Sequence, residues 1–135
     1  MSIRRRELLA ALGGAATWPF AVRAQQRARM RRIGLLLPAA ADDPEYQARV
    51  GAFLQGLQQS GWSLGQNVRI DTRWAGADAD GTRRNAVELV AAAPDVILVN
   101  GGFQLSTLQR ATRTVPIVFV NVSDPVGAGF VETLA

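Results

Sequence analysis

The residues with the clearest chemical meaning are the ones that end apolar runs. Asn100-Gly101-Gly102-Phe103 follows Val96-Ile97-Leu98-Val99, and Asn121-Val122-Ser123-Asp124-Pro125 follows Ile117-Val118-Phe119-Val120. Pro38 to Asp43 closes a third run, Ile33-Gly34-Leu35-Leu36-Leu37. Paired glycines let a backbone bend tightly and let a ligand approach without a Cβ in the way. Ser123 and Asn121 add neutral hydrogen-bonding groups, Phe103 an apolar wall, and the helix starts that follow offer unpaired N–H groups to an anion. From these loops the candidate ligand-binding residues are Ala40, Gly101, Gly102, Phe103, Asn121 and Ser123. Asp43 and Asp124 each precede a proline and read as helix caps.

What the chain lacks narrows the chemistry further. Its 135 residues include no histidine and no cysteine. Imidazole catalysis, thiolate nucleophiles and zinc sites built from those side chains are therefore unavailable, and neither a metal nor a cofactor is expected. No G-x-G-x-x-G, G-x-x-x-x-G-K-[ST] or G-x-S-x-G motif occurs. A signalling receiver is disfavoured because Asn100 stands where a phosphoacceptor aspartate would, and lysine is absent throughout. An α/β enzyme of sugar or nucleoside metabolism is the alternative class. It would have to rely on carboxylates that are already committed to capping.

Three regions position these residues. Residues 1–24 open with Arg4-Arg5-Arg6, run apolar from Leu8 to Val22, and close on Val22-Arg23-Ala24. About 18 to 20 apolar residues are needed to span a bilayer, so this shorter run reads as an export signal cleaved after Ala24. Arg5-Arg6-Glu7-Leu8-Leu9 fits the twin-arginine pattern, which implies the twin-arginine translocase as a partner during export and the periplasm as destination. Removing that segment takes four arginines and one glutamate, leaving 11 cationic against 10 anionic groups. So balanced a remainder argues against a nucleic-acid partner. Residues 25–31 read as a linker, and residues 32–135 as one α/β domain.

Within that domain, continuous apolar runs alternate with helical patterns. Tyr46, Val50, Phe53, Leu54 and Leu57 line one face of a first helix that Gly61 stops. Val68 to Trp74 alternates apolar and polar, as an edge strand does. A second helix is expected over about Thr82 to Ala92 with Val87, Leu89 and Val90 inward. A third is expected over Phe103 to Thr112 with Leu105 and Leu108 inward, and a fourth from about Val126. The resulting βαβαβαβα order predicts a parallel four-stranded sheet, spatial order 2-1-3-4, with helices on both faces. Its ligand crevice lies at the switch point between the first and third strands.

Four stretches also carry a family resemblance: RRRELLAALGGAATWPFAVRAQQ, RRIGLLLP, FLQGLQQSGWSLGQNVRIDTRWA and VPIVFVNVSDPVGAGFVETLA. The most specific are G-x-x-x-G-Q-N-V (Gly61 to Val68) and P-I-V-F-x-x-x-x-D-P-V (Pro116 to Val126). Together they resemble the ABC transporter substrate-binding protein family, related to tryptophan- and tyrosine-type uptake binding proteins. The resemblance implies the first lobe of a type 1 periplasmic-binding fold, incomplete at its C-terminus, in a protein with no enzymatic activity. It also implies a small-molecule ligand such as an amino acid held between two lobes, and an ABC permease in the inner membrane as partner. A periplasmic ligand sensor would look the same at this level.

Overall fold

The computed structural model describes residues 29–134. The signal segment, its twin-arginine pair and the Ala24 cleavage point lie outside the described residues. The elements alternate as β1 (Arg31–Leu37), α1 (Pro44–Gln59), β2 (Val68–Trp74), α2 (Ala79–Ala91), β3 (Val96–Asn100), α3 (Gly102–Ala111) and β4 (Ile117–Val120). All strand pairs are parallel and the order is β2-β1-β3-β4, as expected from the alternating edge strand. Ile33 pairs with Ile70 on one side of β1 and with Val96 on the other.

Alternation along the strands sorts side chains between two layers. Leu36, Ile97 and Val99 face α2 and α3, forming a core with Ala86, Leu89, Leu105 and Leu108. β1 has glycine at position 34 on this face. A Cβ there would stand 3.1 Å from Leu89 Cδ2 and 3.2 Å from Ile97 Cγ1. The missing side chain therefore lets α2 sit close against the centre of the sheet.

Leu35 and Leu37 point the other way, toward α1. The helix presents the five expected apolar residues, each half-buried, and has no fully buried residue. Asp43 caps it by accepting from the N–H groups of Glu45 (2.9 Å) and Tyr46 (3.1 Å). At the other end Gly61 N–H donates to Gln58 O and Trp62 N–H to Leu57 O, the paired bonds of a Schellman motif. Beyond α1, the same sheet face is open over β4, where Val118 and Val120 are about half-exposed.

Two helix expectations need correction. α2 begins at Ala79 rather than near Thr82, because Asp78 caps it from Asp80 N–H and Gly81 N–H. Its inward residues are Gly81, Thr82, Ala86 and Leu89, while Val87 is 61% exposed. Val87 lies two positions before Leu89, which on a 100° helical repeat turns it away from the sheet. The expected fourth helix is a single turn. Asp124 caps it from Gly127 N–H, and Ala128 N–H bonds Asp124 O, but Gly129 at φ +78° ends it at once. Two glycines in four residues give the helix too little propensity to extend.

Filling the Gly34 gap tests the packing. Gly34→Val should lower unfolding free energy by about 1–3 kcal/mol by overpacking, seen as an earlier midpoint in urea. An unchanged midpoint would mean that α2 does not rest on β1 as described.

Candidate ligand-binding site

The carboxyl ends of β1, β3 and β4 open on one edge of the domain, and their loops are bound together by backbone hydrogen bonds. Gly101 N–H donates to Val120 O at 3.1 Å, tying the β3 exit to the β4 exit. Ala75 N–H donates to Leu37 O and Gly76 N–H to Ala39 O, tying the β2 exit to the β1 exit. Asp43 N–H closes a turn onto Ala40 O at 3.1 Å. The loops thus form a framework of two tied pairs, β1 with β2 and β3 with β4.

At the centre of that framework the backbone is strained. Gly101 sits at φ +99°, ψ 149°, a region open essentially to glycine alone. Asn121, at the equivalent exit of β4, has φ +54°. Both chains turn sharply on leaving the sheet, and their neighbouring amides meet: Asn121 Nδ2 donates to Asn100 Oδ1 at 3.4 Å. Asn100 is 92% buried, since only 8% of its surface is exposed.

On the α1 side of these exits runs a groove of about 350 Å³. Leu35, Leu37 and Leu98 floor it, Tyr46 and Phe53 wall it, and the amides of Asn100 and Asn121 stand at its head. Arg49 lies over the Tyr46 ring, 4.9 Å from its centre, and pairs with Glu45. Apart from Arg49, which also lines it, the groove is apolar along its length and neutral at its head. Two ionisations that the fold biases belong to other places. The hydrogen bond that Asp80 accepts from Arg83 lowers its carboxyl, and the hydrogen bond that Arg73 donates to Asp71 raises its guanidinium. Among the described residues no cluster of three or more His, Cys, Asp or Glu side chains could hold a metal ion.

The six residues singled out from the sequence fall in different places. Gly101 and Asn121 lie at the joined exits of β3 and β4. Ala40 is exposed in the β1 loop and Ser123 is exposed in the β4 loop. Gly102 turns toward the C-terminal segment, where an added Cβ would stand 3.8 Å from the Phe130 ring. Phe103, 49% exposed, lines a separate groove with Arg83 and Val87 of α2.

The space beside Gly101 also differs from the open approach expected of a glycine pair. A Cβ there would stand 2.5 Å from Gln104 Oε1. Asn100 opens one of the crevice loops marked in the sequence, though it is not among the six candidates; Gln104 is not marked there, and it shares the inward face of α3 with Leu108. Gly101→Val should therefore destabilise the apo domain by about 1–3 kcal/mol through backbone strain and displacement of Gln104. A urea melt checks this, and an unaltered midpoint would show that the β3 exit tolerates a side chain.

Comparison with known proteins places this geometry. A family model described as ABC transporter substrate binding protein matches residues 38–135. A tyrosine-binding protein of Clostridioides difficile is 29% identical over 106 residues, which is 78% of this chain and 30% of that protein. Among solved structures, a conserved domain protein from Vibrio cholerae superposes with a TM-score of 0.70 at 30% identity, covering 78% of this chain and 35% of that one. The ligand-free, open form of a substrate binding protein with adhesive properties from Clostridium difficile gives 0.69 at 30% identity, over 77% of this chain and 35% of that one. An ABC domain in complex with L-Trp from Streptococcus pneumonia gives 0.68 at 25% identity, over 77% and 34%. The chain thus spans about a third of the length of these relatives. With most of the described domain inside the family match and its parallel sheet shared with the solved relatives, the chain belongs to the ABC transporter substrate-binding protein family.

Proposed function

We propose that this domain is one lobe of an extracytoplasmic solute-binding protein that serves an ABC importer and carries out no catalysis. The observation that carries this reading is the crevice itself. Three strand exits of a parallel sheet converge on neutral hydrogen-bonding groups, in a family of substrate-binding proteins. Such a site orients a small polar or zwitterionic molecule and supplies no nucleophile or general base. A second lobe closes over the ligand by a hinge motion, driven by contacts that both lobes make only when shut. A membrane permease then receives the closed form.

The names of two relatives support an amino-acid-type ligand, since one is called tyrosine-binding and another was solved with L-Trp. Neutral amides at the head of an apolar groove fit such molecules better than a polyanion, which would need clustered cations. Ser123 is exposed in the loop after β4, and on this reading it lends one hydroxyl to the ligand. Calorimetric titration with L-tryptophan and L-tyrosine tests the reading. Ser123→Ala should weaken binding by about 0.5–1.5 kcal/mol, up to roughly tenfold, and leave the apo melting temperature unchanged. No heat of binding with either amino acid would count against an amino-acid ligand.

Export by the twin-arginine route belongs to the same proposal. Replacing both Arg5 and Arg6 by lysine should leave the precursor uncleaved in the cytoplasm. A variant still processed after Ala24 and recovered from the periplasm would assign export to the general secretory route.

A further inference from the structure

Two cations sit side by side at the amino end of the sheet. Arg32 is the second residue of β1 and Arg69 the second of β2, and the parallel register sets them directly opposite each other. The register continues as Gly34 opposite Asp71 and Leu36 opposite Arg73. The face that α2 covers therefore carries Arg32, Gly34 and Leu36 beside Arg69, Asp71 and Arg73. Like charges directly opposite on neighbouring strands repel and destabilise a sheet.

No carboxylate of the described domain relieves that repulsion by pairing with either side chain. Asp71 is committed to Arg73, which donates from Nε to Oδ1 at 3.1 Å and from Nη2 to Oδ2 at 3.2 Å. Glu88 also pairs with Arg73. Asp95 accepts from the Arg31 side chain at 3.5 Å and from the backbone N–H of Arg32 at 2.8 Å. The Arg32 guanidinium donates to one carbonyl, Ala92 O at the end of α2, at 3.3 Å. The Arg69 side chain has no hydrogen bond or ion pair among the described residues. Both arginines line a groove of about 320 Å³ with Asp71, Leu89, Ala92 and Pro94. The one carboxylate in that lining is Asp71, whose two oxygens are already occupied by Arg73.

From this we propose that Arg32 and Arg69 clamp a phosphate group in this groove. A tetrahedral dianion answers both cations at once and offers each guanidinium a pair of oxygens. A single carboxylate presents one planar edge, which matches one guanidinium fork. The bond to Ala92 O holds Arg32 in place through one of its five N–H donors and leaves others for the ligand. The groove accepts inorganic phosphate or a small phosphomonoester, and the headgroup of phosphatidic acid carries the same chemistry. It lies at the opposite end of the sheet from the solute crevice, and neither site depends on the other.

The test has two arms. The ¹⁵N-labelled chain is titrated with inorganic phosphate, the ionic strength being held constant with sodium chloride. In parallel, phosphatidylcholine vesicles with and without phosphatidic acid are tested for co-sedimentation. Saturating shifts at the backbone amides of Arg32, Gly34, Arg69 and Ala92 are expected with phosphate. Arg69→Gln should weaken phosphate binding about tenfold or more while holding or raising the apo melting temperature, because it also removes the repulsion. Arg113→Gln, which removes an exposed arginine outside the groove, should leave binding unchanged. Saturable phosphate binding supports a free ligand. Sedimentation that requires phosphatidic acid and is lost in Arg69→Gln, without saturable phosphate shifts, supports the lipid as the source. No binding in either arm, shifts that grow without saturating, or binding that survives Arg69→Gln in full would each overturn the phosphate site.

Discussion

Leu89 of α2 rests on β1 where Gly34 has no side chain, and the rest of the domain is arranged around that contact. The close approach sets the depth of the core between the sheet and α2. α3 then packs beside α2, with Leu105 and Leu108 reaching the same layer as Ile97 and Val99. This fixes β3 and α3 relative to each other and to the centre of the sheet. Close-packed interiors transmit such constraints because they have little free volume to absorb a shift. The β3 exit at Asn100 and Gly101 therefore has a firm support beneath it.

The other face is built differently. α1 covers the sheet with half-buried residues only, and Val118 and Val120 are left open on β4. Charge guards the β2 edge, where Arg73 bridges Asp71 and Glu88. β4 has no charged residue from Ile117 to Val120. The domain is thus well consolidated on its α2–α3 side and apolar at its β4 side. The groove that leads to Asn100 and Asn121 lies on the less consolidated face.

Strain is concentrated where the two faces meet. Gly101 and Asn121 both take left-handed or glycine-only backbone at adjacent strand exits, and the hydrogen bond from Gly101 N–H to Val120 O holds them together. Such conformations persist only where the surroundings over-determine them. Here the consolidated α3 side supplies that support. It also leaves α3 without a carboxylate cap, unlike its two predecessors.

The sequence by itself determined the element order, the parallel sheet, the strand arrangement, the Asp43 cap and the inward pair Leu105 and Leu108. Each of these depends on periodicity or on a cap within a few residues, which local physics dictates. It also marked the loops at the strand exits, because glycine, asparagine and proline punctuate a chain wherever the backbone must turn. Which loop residues meet was decided by tertiary structure alone. Phe103 reads as a crevice wall, yet folding sets it in a groove with Arg83 and Val87 of α2. Gln104 carries no mark in the sequence, yet folding buries it and sets its amide against Gly101. A side chain's burial and partners depend on residues tens of positions away, and no local pattern encodes that distance.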